Sequence, residues 1–332
     1  MTKPTFLVTT PIPEPGMSIL GEAGVVISPP TPPAPEQLRE LCASGRFDVI
    51  VSQLSDRLDA DLLGEARVRG ISNYAVGVNN IDLDAATSRS IMVANTPGIL
   101  TNATADVAML LILGTARRAV EADQFVRAGE FTGWKPDLLL GQDVSGMTLG
   151  LVGFGRIARA VARRALAFDM RVIFCPRPPG NRVVTDAELG ELAGKVHVVE
   201  WGELLEQSDF VSVHVPLTEG TRHLIDGAAL QRMKSTAILI NTARGPIVDE
   251  AALVEALRTG EIAAAGLDVY ENEPALAPGL AELRNTVLLP HLGSATASVR
   301  AEMARVCATN AVAMARGDAS PFSVNPEAWT PR

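Results

Sequence analysis

The sequence predicts an α/β protein of two lobes, each built on a parallel β-sheet, and three observations carry that prediction. The chain has 332 residues, a length that favours two cores over one. Short apolar runs alternate with amphipathic segments, the pattern left by helices crossing over between parallel strands. Apolar residues make up 47% of the chain and charged ones 20%, enough to bury a core in each lobe.

The first series of apolar runs is TFLVTT, GVVIS, FDVIVS, VRGISNYA and SIMVANTP. The proline cluster from Pro29 to Pro35 reads as a loop leading into a helix at EQLRELC. A proline-rich docking ligand is the competing reading, and it sits poorly inside a folded lobe. From Thr101 to Gly129 the front half is apolar on most faces and the back half is amphipathic. That pattern predicts a buried helix that leaves one lobe and enters the other. The second series is MTLGLVG, RVIFC, HVVE, FVSVHV, AILIN, AAAGLDV and NTVLLPH. A last helix at SVRAEMARVCATNAVAMARG is placed to return to the first lobe and make it discontinuous, before a polar tail. There is no internal repeat and no low-complexity tract.

A net charge of −9 argues against nucleic acid or an anionic membrane as partner, since both require a concentrated basic face. Cys42, Cys175 and Cys307 lie far apart and read as reduced thiols of a cytoplasmic protein. The first apolar run is too short, and too broken by prolines, for a signal peptide, and no stretch approaches a membrane span. No metal site is expected.

The segment GLVGFGRIA places a strand, Met147 to Val152, directly before a helix. Gly153 permits a tight turn, Gly155 lets the backbone approach a pyrophosphate, and Ala158 takes the third small position, where helix and strand pack closely. The helix start offers free N–H groups and a positive dipole end to phosphates. Ile157, Val161, Ala165 and Phe168 mark its inner face, with Arg156, Arg159 and Arg163 on another. The expectation is a nicotinamide dinucleotide cradle.

Such a cradle often carries an acid at the end of the next strand, to grip a ribose. Here that strand, Arg171 to Cys175, ends in Pro176 and Arg177, with Arg182 close behind and no acid between Asp169 and Asp186. An arginine repels no 2′-phosphate and can fork onto its oxygens, so NADP(H) is expected over NAD(H). The competing reading makes Arg177 and Arg182 solvated loop charges.

Of the four histidines, His197 and His214 fall within predicted strands and read as structural, and His223 reads as a loop residue. His291 follows the last strand of the second series, and parallel sheets bind ligands at the carboxyl ends of their strands. Arg244 follows AILIN, and Asp268 and Glu273 follow AAAGL. An arginine, a glutamate and a histidine together can reduce a 2-keto acid. The guanidinium clamps the carboxylate and polarises the carbonyl, the imidazolium protonates the oxygen, and the glutamate holds the other ring nitrogen.

With these motifs the chain resembles the D-isomer-specific 2-hydroxyacid dehydrogenases, most of all their glyoxylate/hydroxypyruvate reductase branch. The carrying stretches are VSQLSDRLDADLL, ISNYAVGVNNIDLDAA, NTPGILTNATAD, GWKPDLLLGQDVSGMTLGLVGFGRIA, VHVPLTEGTRHLID, INTARGPIVDEAAL, GLDVYENEP, LLPHLGSAT and the closing VNPE. The resemblance implies two Rossmann-like lobes. Residues 1–98 and 294–332 would form a discontinuous, flavodoxin-like substrate lobe, and residues 99–293 the dinucleotide lobe, through which the protein would form a homodimer.

The resemblance also implies Arg244 as substrate clamp, Glu273 as histidine partner and His291 as acid/base. Asp268 would lie on the nicotinamide side. Val76 and Gly77 would receive the substrate carboxylate. Trp134 matches a tryptophan that in some relatives reaches toward a neighbouring subunit's site. Cofactor contacts would come from Thr104, Gly153, Phe154, Gly155, Arg156, Ile157, Arg177 and Pro178. Further ones would come from the Val215-Pro216 turn, the Thr242 and Ala243 backbone, Arg244, Asp268, His291 and Gly293.

Asn79-Asn80 departs from the commoner Asp-Asn, Ala158 stands for a glycine, and Pro176 occupies the place of the acid in NAD-dependent members. Glu273 speaks against formate as substrate, where the histidine partner is glutamine, and Val76 against phosphite, where a lysine stands. Two other readings remain open: a reductase of bulkier acids such as aryl pyruvates, and a dinucleotide-sensing module like the C-terminal-binding protein corepressors.

Overall fold

A computed structural model describes residues 3–329. Strands and helices alternate from the start: β1 (Thr5–Val8), α1 (Gly16–Ala23), β2 (Val25–Ile27), α2 (Pro35–Ala43) and β3 (Val49–Ser52). Then come α3 (Ala60–Glu65), β4 (Gly70–Asn73), α4 (Leu83–Ser88) and β5 (Met92–Ala94). Two helices follow, α5 (Thr101–Ala116) and α6 (Ala119–Arg127). The second series runs β6 (Thr148–Val152), α7 (Arg156–Ala167), β7 (Arg171–Cys175), α8 (Asp186–Leu189), β8 (Val196–Val198) and α9 (Trp201–Gln207). It continues with β9 (Phe210–Val213), α10 (Gly227–Arg232), β10 (Ile238–Asn241), α11 (Glu250–Thr259), β11 (Ala264–Leu267) and β12 (Thr286–Leu288). The long α12 (Ala297–Arg316) comes last.

The chain divides into two compact units, Met1–Leu100 with Ala295–Arg332, and Thr101–Ser294. These divisions fall two residues and one residue beyond those drawn from the sequence. In the first unit five parallel strands are ordered β2-β1-β3-β4-β5. Alternate residues of each strand face opposite sides of the sheet. Phe6, Val8, Val49 and Val51 meet Met303, Cys307 and Ala311 of α12 on one side. Leu7, Ile50, Ile71 and Val93 meet Leu38, Leu62 and Ala86 of α2, α3 and α4 on the other.

The tail expected to be merely polar is instead sewn into this unit. The buried Asn325 accepts from the Val93 amide at 2.7 Å and donates to the Ile91 carbonyl and the Thr87 hydroxyl, both at 3.0 Å. The Val93 amide and the Ile91 carbonyl are backbone groups at the edge strand β5, so a polar side chain takes the place of a neighbouring strand there.

The second unit holds seven parallel strands in the order β12-β11-β10-β9-β6-β7-β8. Strand order reverses between β6 and β9, so the carboxyl ends of that pair open a crevice. One correction concerns Thr101–Gly129, which is two helices. Arg118 takes a left-handed φ of 53° and its guanidinium donates to Glu121 and to the Leu140 carbonyl, fixing the break. Both helices belong to the second unit, so neither carries the chain between lobes. No helix among the described residues is long and apolar enough to cross a membrane, and no group of His, Cys, Asp and Glu among them is placed to hold a metal ion.

Candidate active site

After β6 the chain turns at Gly153, whose φ of +90° favours glycine. A Cβ there would also meet Val215 at 2.8 Å, so this position is closed to larger residues twice over. Gly155 is the N-cap of α7, with open space where a Cβ would lie and no side chain capping the helix. The amides of Gly155, Arg156 and Ile157 donate to no acceptor among the described residues. Uncapped amides at a positive helix end fit a diphosphate.

Phe154 does not enter that space; it stacks on Phe174, with ring centroids 3.7 Å apart. Behind it Ala158, Ala160, Val161, Ala162 and Ala165 are buried, and Ile157 is partly so. Phe168 departs from the expected inner face: it is the C-cap of α7 and lies 42% exposed.

At the end of β7, Arg177 is exposed and makes no ion pair among the described residues, while Pro178 is buried beneath the Arg177–Gly180 bridge. Arg182 is different. Its Nη1 lies 2.9 Å from Glu188, so its charge is already answered. Of the two arginines expected there, only Arg177 is without an ion pair among the described residues.

Three further strand ends gather the chemistry. Past β10, the Asn241 amide donates to the Arg244 carbonyl at 2.9 Å and its oxygen accepts from the Ala243 amide at 3.0 Å. This one side chain shapes the Thr242-Ala243-Arg244 turn, and nothing in the sequence singled it out. Burial pushes the Arg244 guanidinium down from its ordinary pKa, opposed by the charge of Glu273; a guanidinium nonetheless keeps its proton. The Thr242 hydroxyl is buried without a partner among the described residues, an orphaned donor in the stretch expected to line a cofactor.

Past β11, the buried Asp268 acts as a bracket. Its carbonyl accepts from the His291 amide at 2.9 Å, and its carboxylate oxygens accept from Leu292 at 2.6 Å and Gly293 at 2.8 Å. The Thr104 hydroxyl closes the same turn by donating to the Gly293 carbonyl at 2.8 Å. So held, His291 sits at a left-handed φ of 57°, and its Nδ1 lies 2.9 Å from Glu273 Oε2. The other Glu273 oxygen accepts from the Tyr270 amide at 3.0 Å. Burial works to raise the Glu273 carboxyl, but the His291 hydrogen bond and charge, the Tyr270 amide and Arg244 hold it below the usual range. An ionised Glu273 fixes a proton on Nδ1 and leaves Nε2 as the working nitrogen.

The other histidines lie elsewhere: His197 on β8, His214 one residue past β9 with its ring 2.9 Å from the Ser212 hydroxyl, and His223 in a turn. A cavity of about 450 Å³, lined in part by Arg118, Leu140 and Arg284, opens at the amino ends of β10 to β12, the opposite end from these groups. Trp134 is 83% exposed on the segment between α6 and β6.

In the first unit, Val76 and Gly77 form a loop past β4. Asn95 donates to the Val76 carbonyl at 2.6 Å and Asn73 to the Gly77 carbonyl at 2.9 Å. Asn80 locks the base of the loop by donating to Gln53 and Asp56 carbonyls. The Val76 and Gly77 amides donate to no acceptor among the described residues, which leaves two adjacent N–H groups for an anion.

Residues 109–293 match the family described as D-isomer specific 2-hydroxyacid dehydrogenase, NAD binding domain. The chain is 44% identical to the glyoxylate reductase of Thermococcus litoralis, over 99% of this chain and 98% of that one. Among solved structures it is similar to a glyoxylate reductase from Paecilomyes thermophila, with a TM-score of 0.84 and 35% identity over 98% of this chain and 99% of the other. It is also similar to the NADPH-dependent glyoxylate/hydroxypyruvate reductase of Sinorhizobium meliloti in complex with NADP and malonate, with a TM-score of 0.85 and 30% identity over 100% and 99%. A likeness that spans both units, over strand ends bearing this arginine, glutamate and histidine, places the chain in the D-isomer specific 2-hydroxyacid dehydrogenase family, as an NAD(P)-dependent oxidoreductase.

Proposed function

We propose that this enzyme reduces glyoxylate, hydroxypyruvate or closely similar small 2-keto acids to D-2-hydroxy acids, with NADPH preferred over NADH. The observation that carries the reading is the Glu273–His291 pair in the company of a partly buried Arg244. The glyoxylate reductases among its relatives support the substrate class.

Arg244 binds the substrate carboxylate and polarises the adjoining carbonyl. In the first unit, the Val76 and Gly77 amides are assigned to substrate. When bound, the reduced nicotinamide supplies a hydride to the keto carbon. His291 Nε2 gives its proton to the carbonyl oxygen, and Glu273 keeps the ring oriented and its positive charge balanced. In the cofactor unit, Gly153, Phe154, Gly155, Arg156 and Ile157 are assigned to the diphosphate. Val215, Pro216, Thr242, Ala243, Thr104, Asp268 and Gly293 are assigned to the rest of the dinucleotide.

Arg177 and Pro178 are assigned to the adenosine end. The charge of Arg177, without an ion pair among the described residues and with no acid at the close of β7, supports NADPH. Leu110, Val120, Val126, Phe131, Trp134 and Leu140 are exposed apolar side chains of the second unit, which supports a homodimer formed through it. Three buried free thiols support a cytoplasmic setting. Initial rates on a panel of small and bulky 2-keto acids, each with NADPH and with NADH, test the reading. The expected result is fastest turnover of glyoxylate or hydroxypyruvate with NADPH. Equal use of both cofactors, or a preference for aryl pyruvates, refutes it.

A further inference from the structure

Arg244 and Glu273 stand on separate loops, and their mutual placement needs a link. His223 supplies one. Its backbone amide donates to the Pro246 carbonyl at 2.9 Å, and Ile225 and Asp249 continue that pairing at 3.0 Å each, so the turn is stitched to the loop that follows Arg244. Its ring reaches the other loop, where Nε2 lies 2.6 Å from Glu271 Oε1. Glu271 is tied back in turn, because its amide donates to the buried Glu250 at 2.6 Å, at the start of α11.

Between the two loops Gly245 lies against the Tyr270–Glu271 backbone with no room for a Cβ. The remaining charges around the ring are Asp249, 3.9 Å from Nδ1, and Arg222, 3.8 Å from the same Glu271 oxygen. The His223 backbone takes a left-handed φ of 51°, a conformation that a non-glycine residue keeps only when its surroundings fix it.

We infer that His223 is a positioning residue for the reduction, a strut that through Glu271 fixes the Glu273 loop against the Arg244 loop. This inference rests on the proposed activity. A strut that sets geometry acts on turnover more than on cofactor binding, because its loops carry the reacting groups and the diphosphate turn at Gly153 lies elsewhere.

The test compares H223A, H223Q, E271A and the H223A/E271A pair in glyoxylate reduction with NADPH, alongside NADPH affinity and melting temperature. H223A is expected to lower kcat about tenfold, with NADPH affinity within about twofold of wild type, since small misplacements of reacting groups are costly. H223Q, which can still donate to Glu271, is expected to recover most of the loss. The double variant is expected to be no slower than the slower single one, as two parts of one link should be. Additive losses, an unchanged kcat, or damage confined to NADPH affinity overturns the strut. If the wild type itself turns over no glyoxylate, the proposed function fails, and amide exchange decides the strut. H223A must then speed exchange in residues 244–249 and 269–274 with recovery in H223Q, and unaltered exchange overturns it.

Discussion

Replacing Gly245 with alanine tests how tightly the reaction depends on loop placement. Its φ is not in the left-handed region, so the substitution brings volume without backbone strain. The added Cβ would fall inside three backbone atoms, the Tyr270 carbonyl carbon and oxygen and the Glu271 nitrogen, whereas real Cβ atoms essentially never come within 3.0 Å of another heavy atom. None of these atoms belongs to a side chain that can rotate away. The loops bearing Arg244 and Glu273 must therefore part, by a distance on the order of 1 Å, and misplacement of that size costs about a hundredfold in rate.

Overpacking of this kind also costs about 1–3 kcal/mol in stability, so thermal unfolding is measured beside turnover. G220A is the control, since a Cβ there meets nothing closer than 4.0 Å. The expected result is a collapse of glyoxylate-dependent NADPH oxidation in G245A with the protein still folded, and wild-type behaviour in G220A. A folded G245A with kcat within about twofold of wild type would mean that the reaction does not depend on this loop contact.

Three other perturbations follow from the same geometry. Glu273→Gln removes the carboxylate that pairs with the imidazolium. Reduction consumes a proton, so its rate declines as pH rises, and in E273Q that decline should move to lower pH; an unmoved profile removes Glu273 from its role. Arg177→Ala should weaken NADPH by roughly tenfold to a hundredfold, the worth of one charge-assisted hydrogen bond, with little effect on NADH, as Michaelis constants for both would show. His214 is held neutral by burial, its pKa lowered from 6.5 to about 4. A depressed folded-state value means that stability is complete above pH 6.5 and is lost as pH falls toward 4. The loss is at most about 3 kcal/mol, and denaturant titrations should show it in the wild type and not in H214Q.

The strands and the residues at their ends were the legible part of this molecule. Each β-strand is a short apolar run closed by a turn, and a parallel sheet puts its ligands at one end, so Gly153, Arg244, Glu273 and His291 could be located from local pattern alone. Side chains that work through remote partners were not legible. Asn241, Asn95 and Asn73 hold the site's loops by hydrogen bonds to backbone carbonyls, and an asparagine near a strand end looks the same whether or not it does so.

The break at Arg118 escaped notice because a left-handed arginine leaves no mark in hydrophobic periodicity; what fixes it includes a carbonyl 22 residues away, at Leu140. Phe168 fits the inner-face spacing of α7, yet the helix ends at Ala167. Charge counting likewise overstated the cationic end of the cradle, because the Arg182–Glu188 pair forms only once the loop folds.

The proposed mechanism has His291 deliver the proton while other groups hold the cofactor. His291→Gln, assayed for glyoxylate reduction by the loss of reduced-nicotinamide absorbance and titrated with NADPH by fluorescence, addresses it most directly. General acid catalysis contributes about a hundredfold to ten-thousandfold, so turnover should fall by that much while NADPH binds as in the wild type. Undiminished turnover, or a variant that no longer binds NADPH, would contradict this mechanism.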